Sequence, residues 1–241
     1  MVSSNGRLST ARFIATYRGR IHECSGAVTG WYQRKIVPHI IRMGCGCALM
    51  DEYRQHIIPK ARGRVLEIGL GAGANLRFYD AANVTQVLGI EPSPELRAMA
   101  IRADRPATIP IEVVEAAGEA LPFAMESFDT VICTFTLCSV DDVGLTLAEA
   151  RRVLKPGGRF LFCEHGRSPD YRVQKWQRRI EPVWKAVFGG CHITRAVRGN
   201  IERYFAISEW TGGYQGTTLR IAGWMEWGEA IAGTSAFSQR Q

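Results

Sequence analysis

The stretch Val65-Leu-Glu-Ile-Gly-Leu-Gly-Ala-Gly-Ala-Asn75 constrains this chain more than any other, because an apolar run passes straight into three alternating glycines. A short apolar run before glycine reads as a buried strand, and the glycines read as a turn that opens a helix. Lacking a Cβ, Gly69, Gly71 and Gly73 let the main chain turn tightly and let a ligand approach it closely. Eighteen residues past Gly73, Glu91 closes a second apolar run. A carboxylate at the carboxyl end of the neighbouring strand can accept hydrogen bonds from both ribose hydroxyls. Spacing alone leaves the cofactor open, since Gly69-x-Gly71-x-x-Ala74 also satisfies the looser dinucleotide fingerprint.

Short apolar runs bounded by Gly, Pro or Asp recur at 64–68, 86–90, 111–114, 128–134 and 159–163. Between them, 94–103 begins after Ser93 as an N-cap, and 142–154 carries helical spacing that Lys155-Pro-Gly-Gly158 ends. Alternation of this kind builds a parallel sheet with helices on both faces. Residues 171–204 read as helices, with Trp176, Ile180, Val183, Trp184 and Val187 near helical spacing. Two closing strands are expected at 206–210 and 218–227, hairpin-paired around Gly212-Gly-Tyr-Gln-Gly216. The expected fold is α/β: a doubly wound, mostly parallel, seven-stranded Rossmann-like sheet with an N-terminal helical lid and a helical insertion over about 171–204. The expected division is a basic segment and lid over 1–60 and the main domain over 61–241.

With 46% hydrophobic and 22% charged residues, the chain can bury a core, which excludes a disordered chain and a small disulfide scaffold. Its uncharged runs fall short of the ~20 apolar residues of a membrane-spanning helix. The seven cysteines include no Cys-x-x-Cys pair, so a reducing, cytoplasmic setting is expected. Cys45-Gly-Cys47 lacks partners at ligand spacing, and no metal is expected. In the head, 31–57 is a helical candidate. The segment before it holds a single acid, Glu23, and Phe13, Ile14, Tyr17 and Ile21 can share one face. An organelle targeting peptide, a lid and a frayed tail all fit that pattern. The net charge of +7 is concentrated at the two ends; residues 1–60 hold nine Lys/Arg against three Asp/Glu. No aromatic-basic interleaving accompanies this charge, so nucleic acid is not an expected partner, whereas peripheral contact with an anionic membrane stays open.

Three further segments arbitrate the cofactor: Gly118-Glu-Ala-Leu-Pro-Phe123, Phe128-Asp-Thr-Val131 and Arg152-Val-Leu-Lys-Pro-Gly-Gly158. With the glycine loop they resemble the class I S-adenosylmethionine-dependent methyltransferases. Ala116-Ala-Gly-Glu119, Cys133-Thr-Phe-Thr-Leu-Cys-Ser139, Cys163-Glu-His165 and Gly189-Gly-Cys-His-Ile-Thr-Arg195 are similar to the thiol methyltransferase branch and its bacterial relatives. The resemblance implies a methyl donor, S-adenosyl-L-methionine, with S-adenosyl-L-homocysteine as product, and a small, partly apolar acceptor, a thiol before an oxygen, nitrogen or carbon. It implies that Glu67, Gly69, Gly71 and Asn75 surround the methionine part, that Glu91 holds the ribose, and that Pro92 and Ser93 flank the adenine. Ala117 stands where many relatives carry an adenine-binding aspartate, so the backbone of Ala117, Gly118 and Glu119 would serve. Thr134 and Leu137 would lie under the sulfonium.

Displacement from a sulfonium needs alignment above all, and a thiol with pKa near ~8.5 needs little base. Catalytic residues are therefore few. The candidates are His165, expected just beyond the fifth strand, His192 in the insertion and Asp141 after the fourth strand. Tyr32, at the start of the head helix, is expected to close over the cofactor. Trp176, Trp184, Tyr204, Trp210, Tyr214 and Trp224 are candidate pocket aromatics, with core packing as the competing explanation.

Overall fold

The structure is a computed structural model that describes residues 35–45, 47–216 and 219–233. Tyr32 and the segment 1–28 lie outside the described residues.

Among the described residues, seven strands form one sheet: β1 (Gly63–Ile68), β2 (Val84–Ile90), β3 (Ile111–Val114), β4 (Phe128–Thr134), β5 (Leu154–His165), β6 (Ala206–Tyr214) and β7 (Trp224–Ile231). Their spatial order is β3-β2-β1-β4-β5-β7-β6. β1 runs parallel to both β2 and β4, β4 runs parallel to β5, and β7 is antiparallel to β5 and β6. The order reverses direction between β1 and β4, so the loops leaving these two strands diverge and open a crevice between them. β1 and β4 are buried through Leu66, Ile68, Val131, Ile132 and Cys133, because both faces of the sheet are covered.

The helices are α1 (Val37–Gly44), α2 (Asp51–Ile57), α3 (Pro94–Ile101), α4 (Val143–Val153), α5 (Tyr171–Val187) and α6 (Val197–Ile201). Side chains cap three of them as their sequences favour: Ser93 accepts from Leu96 N, Asp142 from Leu145 N and Asp170 from Arg172 N. Ile57 and Ile58 are fully buried in the same cluster as Val65 and Val87, so the end of α2 belongs to the sheet's core.

Several expected boundaries move. The head does not form one helix over 31–57; among the described residues α1 ends at Gly44, and a 3-10 turn at Ala48–Met50 leads into α2. No α-helix follows the glycine loop, only a 3-10 turn at Leu76–Phe78. The side chains of Asn75 and Tyr79 turn inward here to bond Glu67. β5 begins at Leu154, because Lys155–Gly158 form an irregularity within the strand, with Gly157 at φ 74°, before pairing resumes at Arg159. The strand also runs to His165, which is its last residue. The closing hairpin pairs Tyr214 with Trp224, so Gly212 and Gly213 lie in β6 instead of the turn. A Cβ on Gly212 would come within 2.7 Å of the Trp224 ring and 2.8 Å of the Trp210 ring, so that glycine makes room for indoles.

Candidate active site

One cavity of about 680 Å³ fills the crevice above β1 and β4. Its first end is built by the glycine loop. Gly71 has φ 58°, donates its N–H to Glu91 Oε2 at 3.0 Å, and has no atom within 4 Å of where a Cβ would stand. Gly69 has φ 73°, and a Cβ there would press to 2.1 Å from Thr136 Oγ1 on the loop after β4. The other Glu91 oxygen accepts from Ser93 N at 2.9 Å. Burial raises the Glu91 pKa against these two backbone donors.

Behind the loop lies a buried polar chain. Asn75 Nδ2 donates to Glu67 Oε1 and to Thr134 Oγ1, both at 2.9 Å, and Tyr79 donates to Glu67 Oε2 at 2.6 Å. Arg54 Nε donates to Asn75 Oδ1 at 2.9 Å. Burial pushes the Glu67 carboxyl up to about 7, despite the two donors and Arg54. The Tyr79 hydroxyl is pushed well up by burial and by Glu67 itself.

Across the crevice, Phe135 adopts φ 53°, a left-handed conformation that is uncommon for a bulky residue. The turn it makes aims three successive N–H groups, those of Thr136, Leu137 and Cys138, at the buried Glu164 carboxylate, at 2.9, 2.9 and 3.3 Å. Burial still raises Glu164 to about 7. His165 lines the cavity with its ring edge-on to Phe135, and its Nδ1 is buried without a hydrogen-bond partner.

The cavity gathers Glu67, Gly69, Gly71, Asn75, Glu91, Pro92, Ser93, Ala117, Gly118, Glu119, Thr134, Asp141 and His165. Glu119 holds the strand-to-helix loop by accepting from the N–H groups of Asp141 and Asp142, at 2.9 and 3.2 Å. Two expected residues are not brought in. Leu137 is 2% exposed and packs into the main core with Leu66 and Val197, since its backbone N–H is turned to Glu164. His192 bonds Glu181 of α5 at 2.8 Å outside the cavity lining, and burial together with Arg195 lowers its pKa. Of the six candidate aromatics only Trp184 lines the cavity; Trp176 is 53% exposed, Tyr204 and Trp210 pack against the core, and Tyr214 meets the Trp224 ring. Cys133 and Cys163 are fully buried, and burial raises both thiols well up, as befits core residues. Cys45, also in the lining, is pushed up to about 12.

Sequence reasoning gave no role to Arg54, Phe135, Thr136 and Glu164; the last three lie within motifs named above, but their roles arise from tertiary contacts. The second end of the cavity is lined by Val37, Ile40, Met43, Leu49, Met50, Phe135, Trp184 and Phe188, without a charged side chain among them.

A family model described as "Methyltransferase domain" matches residues 66–162, the stretch that carries β1 to β5 and the glycine loop. This stretch of the chain carries a methyltransferase domain. It is 37% identical over 143 residues to the thiol S-methyltransferase TMT1B of Rattus norvegicus, covering 58% of each chain. It is 35% identical over 159 residues to thiol S-methyltransferase TMT1A of Homo sapiens, covering 64% of each. The aligned region thus spans less than two thirds of these relatives. The fold matches the N-methyltransferase NodS of Bradyrhizobium japonicum in complex with S-adenosyl-L-homocysteine, with a TM-score of 0.60 at 16% identity over 85% of this chain and 96% of that one. It also matches an S-adenosylmethionine-dependent methyltransferase of Mesorhizobium loti, with a TM-score of 0.57 at 20% identity over 78% and 100% of the chains.

The carboxylate end of the cavity fits the cofactor of methyltransferase domains on its own geometry. A molecule with a sulfonium and an ammonium group suits an end lined by Glu67, Glu91, Glu119 and Asp141, and the open side of Gly71 admits it to the backbone. No helix of the described residues is long and apolar enough to cross a membrane, and no group of His, Cys, Asp and Glu among them could hold a metal ion.

Proposed function

We propose that this protein transfers a methyl group from S-adenosyl-L-methionine to a small, uncharged, largely apolar acceptor, with a thiol sulfur as the favoured atom. The observation that carries this reading is the two-ended cavity: carboxylates and an open glycine turn at one end, aliphatic and aromatic side chains at the other. The names of the relatives, thiol S-methyltransferases, support sulfur as the acceptor atom.

Bound cofactor supplies a methyl group on a sulfonium, whose departure leaves a neutral thioether. The chain's task is alignment, which can supply about 7 to 11 kcal/mol of a barrier when geometry is held. Glu91 orients the ribose end, the Asn75 and Glu67 pair receives the amino-acid end, and the wall of Phe135, Met50 and Trp184 seats the acceptor and excludes water. His165, whose ring lines the cavity, takes the acceptor proton at a ring nitrogen. A thiol that ionises near ~8.5 needs this help only below that pH.

The test is transfer of labelled methyl from S-adenosylmethionine to alkyl thiols, phenols, amines and phospholipid vesicles in parallel. Label in the thiols supports the reading; label only in another class changes the acceptor while keeping the cofactor site. His165→Ala is expected to slow thiol methylation about tenfold or more at neutral pH and progressively less as pH approaches the thiol's own ionisation. An equal loss at every pH would remove His165 as proton acceptor.

A further inference from the structure

Arg54 stands out among the charged groups the proposed chemistry leaves unused. It is 3% exposed, it projects from α2 into the cavity lining, and it touches three separate parts of the site. Its Nε donates to the Asn75 side-chain carbonyl, its Nη2 donates to the backbone carbonyl of Cys45, and its guanidinium carbon lies 5.1 Å from the centre of the Phe135 ring. On the outer side Asp51 pairs with it at 3.4 Å and also with Arg77, so the head segment is fastened to the turn after the glycine loop.

The bond to Asn75 has a directional consequence. A guanidinium only donates, so it must face the amide oxygen, and the two Asn75 N–H groups are thereby turned to Glu67 and Thr134. With Arg54 replaced by a neutral side chain, the amide orientation is held from the Glu67 side alone, and the Glu67 carboxyl loses the nearest cation. The titratable and charged groups facing Glu67 are Tyr79 and Arg54, and only Arg54 carries charge at neutral pH.

We infer that Arg54 is a positioning residue for the cofactor: through the Asn75 amide it aims the Glu67 carboxyl group, and through the Cys45 carbonyl it ties that group to the segment beside the acceptor end. The inference rests on the cavity being the S-adenosylmethionine site. It goes beyond that reading by assigning the setting of Glu67 to a residue outside the glycine loop, on the helix that directly follows Leu49 and Met50 of the acceptor wall.

The experiment is calorimetric binding of S-adenosylhomocysteine from about pH 6 to pH 9, with wild type, Arg54→Gln, Arg54→Lys, Glu67→Gln and the Arg54→Gln/Glu67→Gln double variant. Wild-type affinity is expected to weaken as pH falls through the Glu67 ionisation, near about 7. Arg54→Gln should weaken binding at least about tenfold at neutral pH and move that midpoint upward, because Glu67 then holds its proton longer. Glu67→Gln should remove the midpoint, and adding Arg54→Gln to it should cost less than about threefold, since coupled residues are not additive. Arg54→Lys keeps the charge without the fork, so its midpoint should stay near wild type while affinity falls. It carries the test if Arg54→Gln fails to fold. A purely structural arginine would lower affinity equally in both backgrounds and leave the midpoint in place; that result, or binding unchanged in Arg54→Gln, overturns the inference. Absence of binding to wild type would instead overturn the cofactor site.

Discussion

At the scale of single residues, the glycine loop is the part of the site that was legible in advance, because its chemistry is local. Gly71 needs a left-handed backbone and an open flank, and both requirements are written in the spacing of the loop. Gly71→Ala places a methyl group in cofactor space and adds a backbone cost of roughly 1 to 2 kcal/mol. S-adenosylhomocysteine affinity is therefore expected to fall at least about tenfold, measured by the same titration, and retained affinity would show that the ligand lies elsewhere. Glu91 was legible for the same reason, as the residue that follows a strand beside the loop. Arg54 and Glu164 were not, since an arginine in a head helix and a glutamate in an apolar strand acquire meaning only when Asn75 and the turn at Phe135 are brought against them. The position of His192 suggested chemistry, but a glutamate one helix away engages it.

Among the elements, α5 shows how one buried amide can moor a helix. Gln177 is 1% exposed; it accepts from Ser168 N at 3.1 Å and donates to the carbonyls of Gly166 and Ile221, at 3.3 and 3.0 Å. Gln177→Ala strands these buried groups, and a loss of about 2 to 3 kcal/mol is expected in urea unfolding. Because Trp184 and Phe188 hang from the same helix, acceptor KM should rise in this variant while cofactor affinity changes little; unchanged KM would detach α5 from acceptor binding. The helix was readable from its apolar spacing, whereas its Asp170 cap was not singled out. The closing hairpin was read less well. Gly212 and Gly213 signal a turn by composition, yet they lie in β6 beneath indole rings, which a local rule cannot weigh. The head was misread as one helix, although the sequence that interrupts it, Gly44-Cys45, was in plain view.

For the whole molecule, two buried carboxyls set the response to pH. Burial holds Glu67 and Glu164 near about 7 in the folded chain, against an ordinary value of 4.5. Between those limits the folded state keeps protons that the unfolded state has released. Their stabilising share is thus complete below the ordinary value and is lost as pH rises through the folded value. The ceiling is about 3 kcal/mol for each group, at about 1.4 kcal/mol per pKa unit. Thermal melts of the ligand-free protein at mildly acidic and mildly alkaline pH should show a smaller difference for Glu67→Gln than for wild type; an equal difference would mean that Glu67 stays ionised throughout.

The cavity's two ends also come from different stretches of chain. The glycine loop and the turns after β2, β3 and β4 supply the carboxylate end from one continuous span, whereas the apolar end is assembled from the segments flanking it, 37–50 on one side and 184–222 on the other, with Phe135 at the seam. A grafting experiment can respect that division. Exchanging the two flanks together between related chains, with Arg54 and Asn75 left as matched hinges, would transplant substrate preference onto an unaltered engine, and it marks where a lineage could diversify its chemistry without relearning how to hold the donor.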